Sequence, residues 1–321
     1  MAETVSELDA FFRKSVEDME KKMRAVVSDG GILSVLKNGK RLRPVLSHLA
    51  FKVCTGGKET PYMYGRVLEG MIAMELAHTA SLIHDDIIDG DTVRRGRTAF
   101  YIRRGVPDAL LTGHRMIALG FDIALSHGDD IAKLYVDTWN EVLGGEFREI
   151  GFNRGDVKNG SSGLSTKSRI FGEYNRIIDM KTASLFSSAC RAGALEAGAS
   201  GVILGILADY GRAVGMAYQL ADDLVDLMRG ESIDSIVVPL LNKLGNRRTT
   251  NGLGAEEARR LVSKNRSRIK EVYLGEIRRH VSRAAGLARS EHVPVSQYTL
   301  LLAGAPAYIV NRMLGELGLK V

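Results

Sequence analysis

Hydrophobic positions along the chain recur at three- and four-residue intervals almost throughout, with no alternating run that would predict a strand. The first stretch, about Glu3 to Val27, carries Leu8, Phe11, Phe12, Val16, Met19, Met23 and Val26 on roughly one face and predicts an amphipathic helix. Asp29-Gly30-Gly31 reads as its C-terminal stop. GKRLRP, Gly39 to Pro44, opens the next helix, because proline is tolerated in a first turn, and Thr55-Gly56-Gly57 ends it. Pro61 starts a long helix leading to Asp85. Another begins at Val106-Pro107-Asp108 and breaks near His127-Gly128, and the next runs from about Asp129 to Phe152. After a loop, NRGDVKNGSSG at 153–163, helical spacing resumes at Ser165 and continues through Lys181 into the small-residue stretch FSSACRAGALEAG. A turn at Gly198 to Gly201 precedes one more long helix, and the loop GNRRTTNGLG sets off two amphipathic C-terminal helices. No linker is long enough to divide domains. The pattern predicts a single all-α domain, residues 1–321, of about a dozen helices.

Composition changes this picture little. With 321 residues, 45% of them hydrophobic and 26% charged, the chain can bury a sizeable core and is not disordered. The net charge of +6 could suggest nucleic acid or anionic lipid, but it is spread in short clusters rather than one basic tract, and small polyanionic substrates explain it equally well, so no nucleic-acid partner is expected. Cys54 and Cys190, both in apolar helical contexts, imply no disulfide framework and a reducing compartment. The charged N-terminus lacks the apolar centre of a signal peptide, and no apolar stretch reaches transmembrane length without charges. The expectation is a cytoplasmic protein without stable membrane insertion.

The candidate chemistry lies between Ala73 and Thr98, AMELAHTASLIHDDIIDGDTVRRGRT. Asp85 and Asp89 stand one helical turn apart, with Asp86 beside them. Three acids at the end of an apolar helix repel one another and resist desolvation, a cost that a divalent cation removes. Magnesium suits such a site, because it takes a few carboxylate oxygens and leaves its other positions to water and phosphate. Arg94 and Arg95 follow with forked donors that match phosphates. One such motif could be a solvated helix end. A second copy, Asp222, Asp223 and Asp226 in GMAYQLADDLVDL, repeats the spacing with Gln219 just before it. Brought face to face, the two helices would cage magnesium ions and a diphosphate.

The paired acidic motifs, GKRLRP, and MKTASLF at Met180 to Phe186 together resemble the trans-isoprenyl (polyprenyl) diphosphate synthase family, from about Gly30 to Arg312. The resemblance implies a large helical bundle of the isoprenoid synthase type with a central substrate cavity, magnesium as cofactor, and a homodimer. It also implies roles for individual residues. Lys40, Arg43 and His78 match positions that hold isopentenyl diphosphate. Arg94 and Arg95 match a pair divided between the allylic diphosphate and isopentenyl diphosphate, whereas Arg97, Arg103 and Arg104 read as solvated. Lys181 and Thr182 match residues at a helix bend beside the departing diphosphate, and Gln219 matches a carboxamide that faces the reacting carbons. Ala77, Ala80 and Ser81, all small, stand where the family sets product length. One departure follows Asp226: the family's two-lysine loop is replaced by the shorter LMRGESIDSIVVPL, where Arg229 is the one nearby cation that could substitute.

The reaction so implied is head-to-tail condensation of isopentenyl diphosphate with an allylic diphosphate, giving a geranylgeranyl or longer all-trans product. A terpene cyclase of the same fold would ionise the same diphosphates, but GKRLRP and His78 argue for a second diphosphate site. A non-catalytic regulatory subunit of a heteromeric synthase should have lost one acidic motif, and this chain keeps all six aspartates.

Overall fold

Helices claim nearly every residue of the structure, a computed structural model, in which residues 2–153, 166–230 and 255–321 are described. The order is α1 (Ala2–Val26), α2 (Gly30–Leu36), α3 (Leu42–Thr55), α4 (Pro61–Asp89), β1 (Val93–Arg94), β2 (Arg97–Thr98), α5 (Phe100–Arg104), α6 (Val106–Ser126) and α7 (Asp129–Asn153). There follow α8 (Thr166–Ile178), a π-helical turn (Asp179–Ala183), α9 (Ser184–Glu196), α10 (Gly201–Arg229), α11 (Ala255–Lys264), α12 (Arg266–Ala288), α13 (Thr299–Leu314) and a 3₁₀ turn (Gly315–Leu317). The all-α expectation holds. The loops expected at 153–163 and 245–254 lie almost wholly outside the described residues, as does the shortened segment from Glu231 onward.

Several boundaries differ from the expectation, for local reasons. Asp29 does not stop α1 but starts α2, accepting hydrogen bonds from the Gly31 and Ile32 amides at 2.8 and 3.1 Å. On α1 the apolar stripe ends on buried Val27, and Val26 points outward. The arginine stretch is an antiparallel hairpin pairing Val93 with Thr98 and Arg94 with Arg97. Arg95 and Gly96 turn it with φ of 52° and 70°, the left-handed pair that a two-residue hairpin needs. Three helices, not two, follow residue 254, because Asn265 interrupts the pattern between α11 and α12.

The chain forms two compact units. The first comprises Met1–Val136, Ser188–Gly205 and His292–Leu301, and the second Asp137–Ser187, Ile206–Glu291 and Leu302–Val321. In the first, α4 is the axis. Met71, Ile72, Leu76, Ala80 and Ile83 on α4 join Met19 and Met23 of α1 and Ala109 and Met116 of α6 in one buried cluster. Gly120 lets α6 approach closely, since a Cβ there would stand 3.0 Å from the Ala73 carbonyl oxygen. In the second, α10 is the axis, its Met216, Leu220, Leu224 and Met228 packing with Tyr174, Ile269, Tyr273, Ile277 and Val310. Gly211 brings α10 against α9, where a Cβ would meet the Phe186 carbonyl oxygen at 2.2 Å. Each axis therefore ends in one of the acidic motifs.

Candidate active site

In the first unit, the C-terminal turns of α4 place Asp85 and Asp89 at partly or fully exposed positions and leave Asp86 only 3% exposed. Burial raises the Asp86 pKa against the opposing pull of Arg94. Arg94 Nε donates to Asp86 Oδ1 at 2.5 Å and its Nη2 to Asp91 at 2.9 Å. The hairpin is therefore tied to the middle acid of the motif, and Arg94 reaches a phosphate only with Asp86 already on its guanidinium.

GKRLRP divides its cations between two tasks. Arg41, in the left-handed region with φ of 54°, is buried and pairs with buried Glu75 at 2.5 Å, while also donating to the Leu36 carbonyl. Arg43, on the first turn of α3, donates from Nη1 to His78 Nε2 at 2.9 Å. Since an arginine only donates, His78 Nε2 carries the lone pair and Nδ1 the proton. That Nδ1 is buried without a hydrogen-bond partner. Burial, then Arg43, Arg95, Arg41 and Arg94, holds the His78 pKa well below its usual value, so the ring is neutral. Lys40 is exposed just ahead of this pair. Arg43, His78 and Arg95 are thus brought within one positive field, and Arg41 proves to be a structural cation.

A cavity of about 90 Å³ opens beside this group, lined in part by Lys37, Thr79, Arg94, Arg95, Arg97 and Arg103. Arg97 and Arg103 are exposed, as expected, but they share this wall. Thr79 Oγ1 is buried with no hydrogen-bond partner. Lys37 and Thr79 escaped the sequence reading because a lone lysine and a threonine next to His78 carry no motif.

Of the small residues ahead of Asp85, Ala77 and Ser81 are partly exposed, and the Ser81 hydroxyl donates to the His78 carbonyl at 2.8 Å. Ala80 is 0% exposed and belongs to the α1–α4–α6 cluster. Met74 belongs to a different buried group, with Ala124, Ile131, Ala189 and Ala192.

In the second unit the middle acid again accepts from protein donors. Asp223 accepts from Tyr174 Oη and, at 2.8 Å, from Gln219 Nε2, while Thr182 Oγ1 donates to Gln219 Oε1 at 2.9 Å. Both ends of the Gln219 carboxamide are therefore engaged. Burial, opposed by those hydrogen bonds and reinforced by Asp222 and Asp226, moves Asp223 up to about 7. Asp222 and Asp226, one turn apart, are partly exposed.

Lys181 sits in the π-helical turn, an irregularity that recurs at functional sites. Its ammonium lies 2.6 Å from Glu146 and also pairs with Glu149, both on α7. Gly145 permits this approach, as a Cβ there would stand 3.0 Å from the Lys181 amide nitrogen. A carboxylate pair thus stands where the resemblance implies a diphosphate oxygen. The sequence alone did not mark Glu146 and Glu149, because nothing local links α7 to a lysine more than thirty positions away.

The donor set fits magnesium. Each motif offers only carboxylate oxygens, an i,i+4 pair at accessible positions and a third acid held by neighbours. Among the described residues no three His, Cys, Asp or Glu side chains are arranged to hold a metal by themselves. Magnesium ordinarily uses one or two carboxylates and completes its shell with water and substrate phosphate.

Comparison with known proteins bears on the whole arrangement. The family model described as polyprenyl synthetase matches residues 31–234, which contain every candidate site residue named above. A short chain isoprenyl diphosphate synthase of Methanothermobacter thermautotrophicus is 32% identical over 233 residues, covering 68% of this chain and 66% of that protein. A geranylgeranyl diphosphate synthase of Methanosarcina mazei is 29% identical over 223 residues, covering 68% of this chain and 61% of that protein. The matched region thus spans a little under two thirds of the length of these curated relatives. Among solved structures, the geranylgeranyl pyrophosphate synthetase from the archaeon Geoglobus acetivorans superimposes with a TM-score of 0.76 at 23% identity, covering 94% of this chain and 99% of that one. The fold is that of the helical isoprenyl synthases, and the chain belongs to the polyprenyl synthetase family.

Proposed function

We propose that this chain is a magnesium-dependent prenyltransferase that joins isopentenyl diphosphate head-to-tail to an allylic diphosphate. The observation that carries the reading is the Arg43–His78 pair beside Arg95, a fixed cationic group about two to three helical turns from the three acids Asp85, Asp86 and Asp89. A cyclase has no use for a second diphosphate site, and its single substrate would leave that group without a task. The chain is taken to work as one polyprenyl synthase domain. It is further taken to be cytoplasmic and homodimeric. The exposed Ile102, Leu110 and Leu111 of the first unit are apolar surface that a second copy would cover, and size-exclusion with light scattering checks the dimer. Among the described residues no helix is long and apolar enough to cross a membrane.

Lys40, Arg43, His78 and Arg95 hold isopentenyl diphosphate. Arg43 supplies charge, and neutral His78 orients its guanidinium by accepting a hydrogen bond from Nη1. Arg94 and Lys181 contribute fixed positive charge toward the allylic diphosphate, each already oriented by carboxylates. Asp85, Asp86, Asp89, Asp222, Asp223 and Asp226 would hold magnesium, the middle acid of each triplet setting the position of its neighbours. Magnesium held there would supply charge neutralisation for the leaving diphosphate. The allylic C–O bond then breaks with its electron pair on the diphosphate, the isopentenyl double bond attacks the allylic carbon, and a proton from the isopentenyl C2 passes to the released diphosphate. Thr182 and Gln219 keep a carboxamide dipole ordered beside Asp223, with its oxygen end toward the Thr182 hydroxyl. Preorganised charge of this kind is usually the largest catalytic contribution. Ala77, Ala80 and Ser81 set how far the growing chain extends, and their small size favours geranylgeranyl or longer products.

The test is an assay with isopentenyl diphosphate and dimethylallyl, geranyl, farnesyl and geranylgeranyl primers, with and without magnesium, sizing the products. Magnesium-dependent elongation supports the reading. Cyclic hydrocarbon products would favour a cyclase, and no product from any primer would favour a regulatory subunit.

A further inference from the structure

The second unit contains a cavity that the proposed reaction does not use. It has a volume of about 370 Å³ and lies between α8, the π-helical turn, α10 and α12. Arg176, Arg212 and Arg283 converge on it, together with Asp179, His280 and the apolar edge of Met216. Three guanidinium groups thus face one lining carboxylate. Arg212 is already paired, with Asp179 at 2.8 Å and with Glu141 at 3.0 Å. Arg176 and Arg283 are exposed and make no hydrogen bond or ion pair among the described residues.

The fourth group is less ordinary. His280 is 7% exposed, and Arg279 Nη2 donates to its Nε2 at 2.9 Å. Arginine only donates, so the ring proton is on Nδ1. That Nδ1 is buried and has no acceptor. A buried donor without a partner is costly, and such groups in native proteins commonly mark an absent water or ligand. Burial, with Arg279 and Arg283, lowers the His280 pKa to about 4, against smaller opposing effects of Glu276 and Asp179, so near neutrality the ring is a neutral N–H donor rather than a cation.

We infer that this cavity is an anion site for a phosphate or diphosphate group, bound by Arg176 and Arg283 with His280 as a neutral donor and Arg212 behind them. The chemistry points to phosphate oxygens because two unpaired forked cations and one N–H suit an acceptor with several oxygens on one centre. The volume exceeds what inorganic phosphate fills, and Met216 offers a short apolar contact beyond the charges. Asp179 begins the π-helical turn that carries Lys181 and Thr182, so an anion here competes with Asp179 for Arg212 at the base of that turn.

The experiment follows the imidazole resonances of the full-length protein, labelled at histidine, with His280→Gln assigning the signal. Titrations use inorganic phosphate, inorganic diphosphate and geranyl diphosphate, all in EDTA. The wild-type His280 signal should shift with at least one of them, and Arg176→Gln/Arg283→Gln should weaken that binding by about tenfold or more. Both arginines are exposed, so the double variant should keep its fold, which its circular dichroism checks. Arg43→Gln should leave the His280 response intact, which separates this cavity from the isopentenyl diphosphate site proposed above. Equal response to diphosphate and geranyl diphosphate identifies a free-headgroup site, and a stronger response to geranyl diphosphate identifies a prenyl ligand. A His280 signal that none of the three moves, or that moves equally in the double variant, overturns the inference.

Discussion

Arg43 Nη1 donates to His78 Nε2 at 2.9 Å, joining the start of α3 to the middle of α4. The bond requires a neutral imidazole, and burial among four arginines keeps it neutral. Losing one charge-assisted contact costs about 1.5–3 kcal/mol, roughly ten- to a hundredfold in affinity. Arg43→Ala should therefore raise the KM for isopentenyl diphosphate by that factor while changing the KM for the allylic primer little. Steady-state kinetics with each substrate varied in turn reads the split, and an equal rise for both would contradict the assignment.

The two acidic motifs share a division of labour. Asp86 and Asp223 are each held by protein donors, and Asp85, Asp89, Asp222 and Asp226 flank them at partly or fully exposed positions. Asp85→Ala and Asp222→Ala should each lower kcat by orders of magnitude with the circular dichroism spectrum unchanged. Near wild-type turnover of either variant at saturating magnesium would remove that motif from the site.

Lys181 joins two largely buried carboxylates. Removing one partner from a buried ion pair typically costs about 3–5 kcal/mol, because the remaining charge loses its compensation. Lys181→Ala should accordingly lower the urea midpoint markedly, and adding Glu146→Gln and Glu149→Gln should restore much of it. A Lys181→Ala midpoint equal to that of the wild type would show that the cluster is solvated and makes no net contribution.

His48 provides a pH test away from the catalytic groups. Ser15 spends its hydroxyl proton on the Phe11 carbonyl, so it accepts from His48 Nδ1 at 2.9 Å, and the ring is neutral. Burial, with Lys52 and against Glu59 and Asp18, lowers its pKa from 6.5 to about 4. The unfolded chain therefore binds this proton first as pH falls. Stability from the neutral ring is complete above about pH 6.5 and declines toward pH 4, by up to roughly 3 kcal/mol. Unfolding free energies between pH 7 and 4.5 should fall less steeply in His48→Gln than in the wild type.

The three small residues ahead of Asp85 should respond differently to enlargement. Ala80 shares its buried cluster with Ala109 and Met116, so Ala80→Tyr should cost about 1–3 kcal/mol of stability from overpacking as well as shorten the product. Ala77→Phe and Ser81→Phe, at partly exposed positions, should shorten the product with a smaller effect on Tm. Product sizing beside thermal unfolding separates the cases. An unchanged product distribution in all three would move the length determinant elsewhere, with Met74 the next residue to vary.

The sequence by itself determined the all-α class, most helix boundaries and both acidic motifs, because helix period, glycine and proline stops, and i,i+4 spacing are local properties. It also marked Arg43 and His78, through motifs whose residues lie close together in the chain. What only the tertiary structure decided were the partners. Arg41 and Arg43 are two positions apart in one cationic run, yet one is buried on Glu75 and the other reaches His78. Lys181 meets Glu146 and Glu149 only because Gly145 admits the π-helical turn to α7. The hairpin at Arg94–Arg97 depends on two left-handed residues, of which Arg95 carries no local signal for that conformation. The cavity around His280 draws on four elements, and its three arginines, Arg176, Arg212 and Arg283, each come from a different helix. Side-chain pairing depends on which faces long-range packing brings together, and that is not encoded at any single spacing.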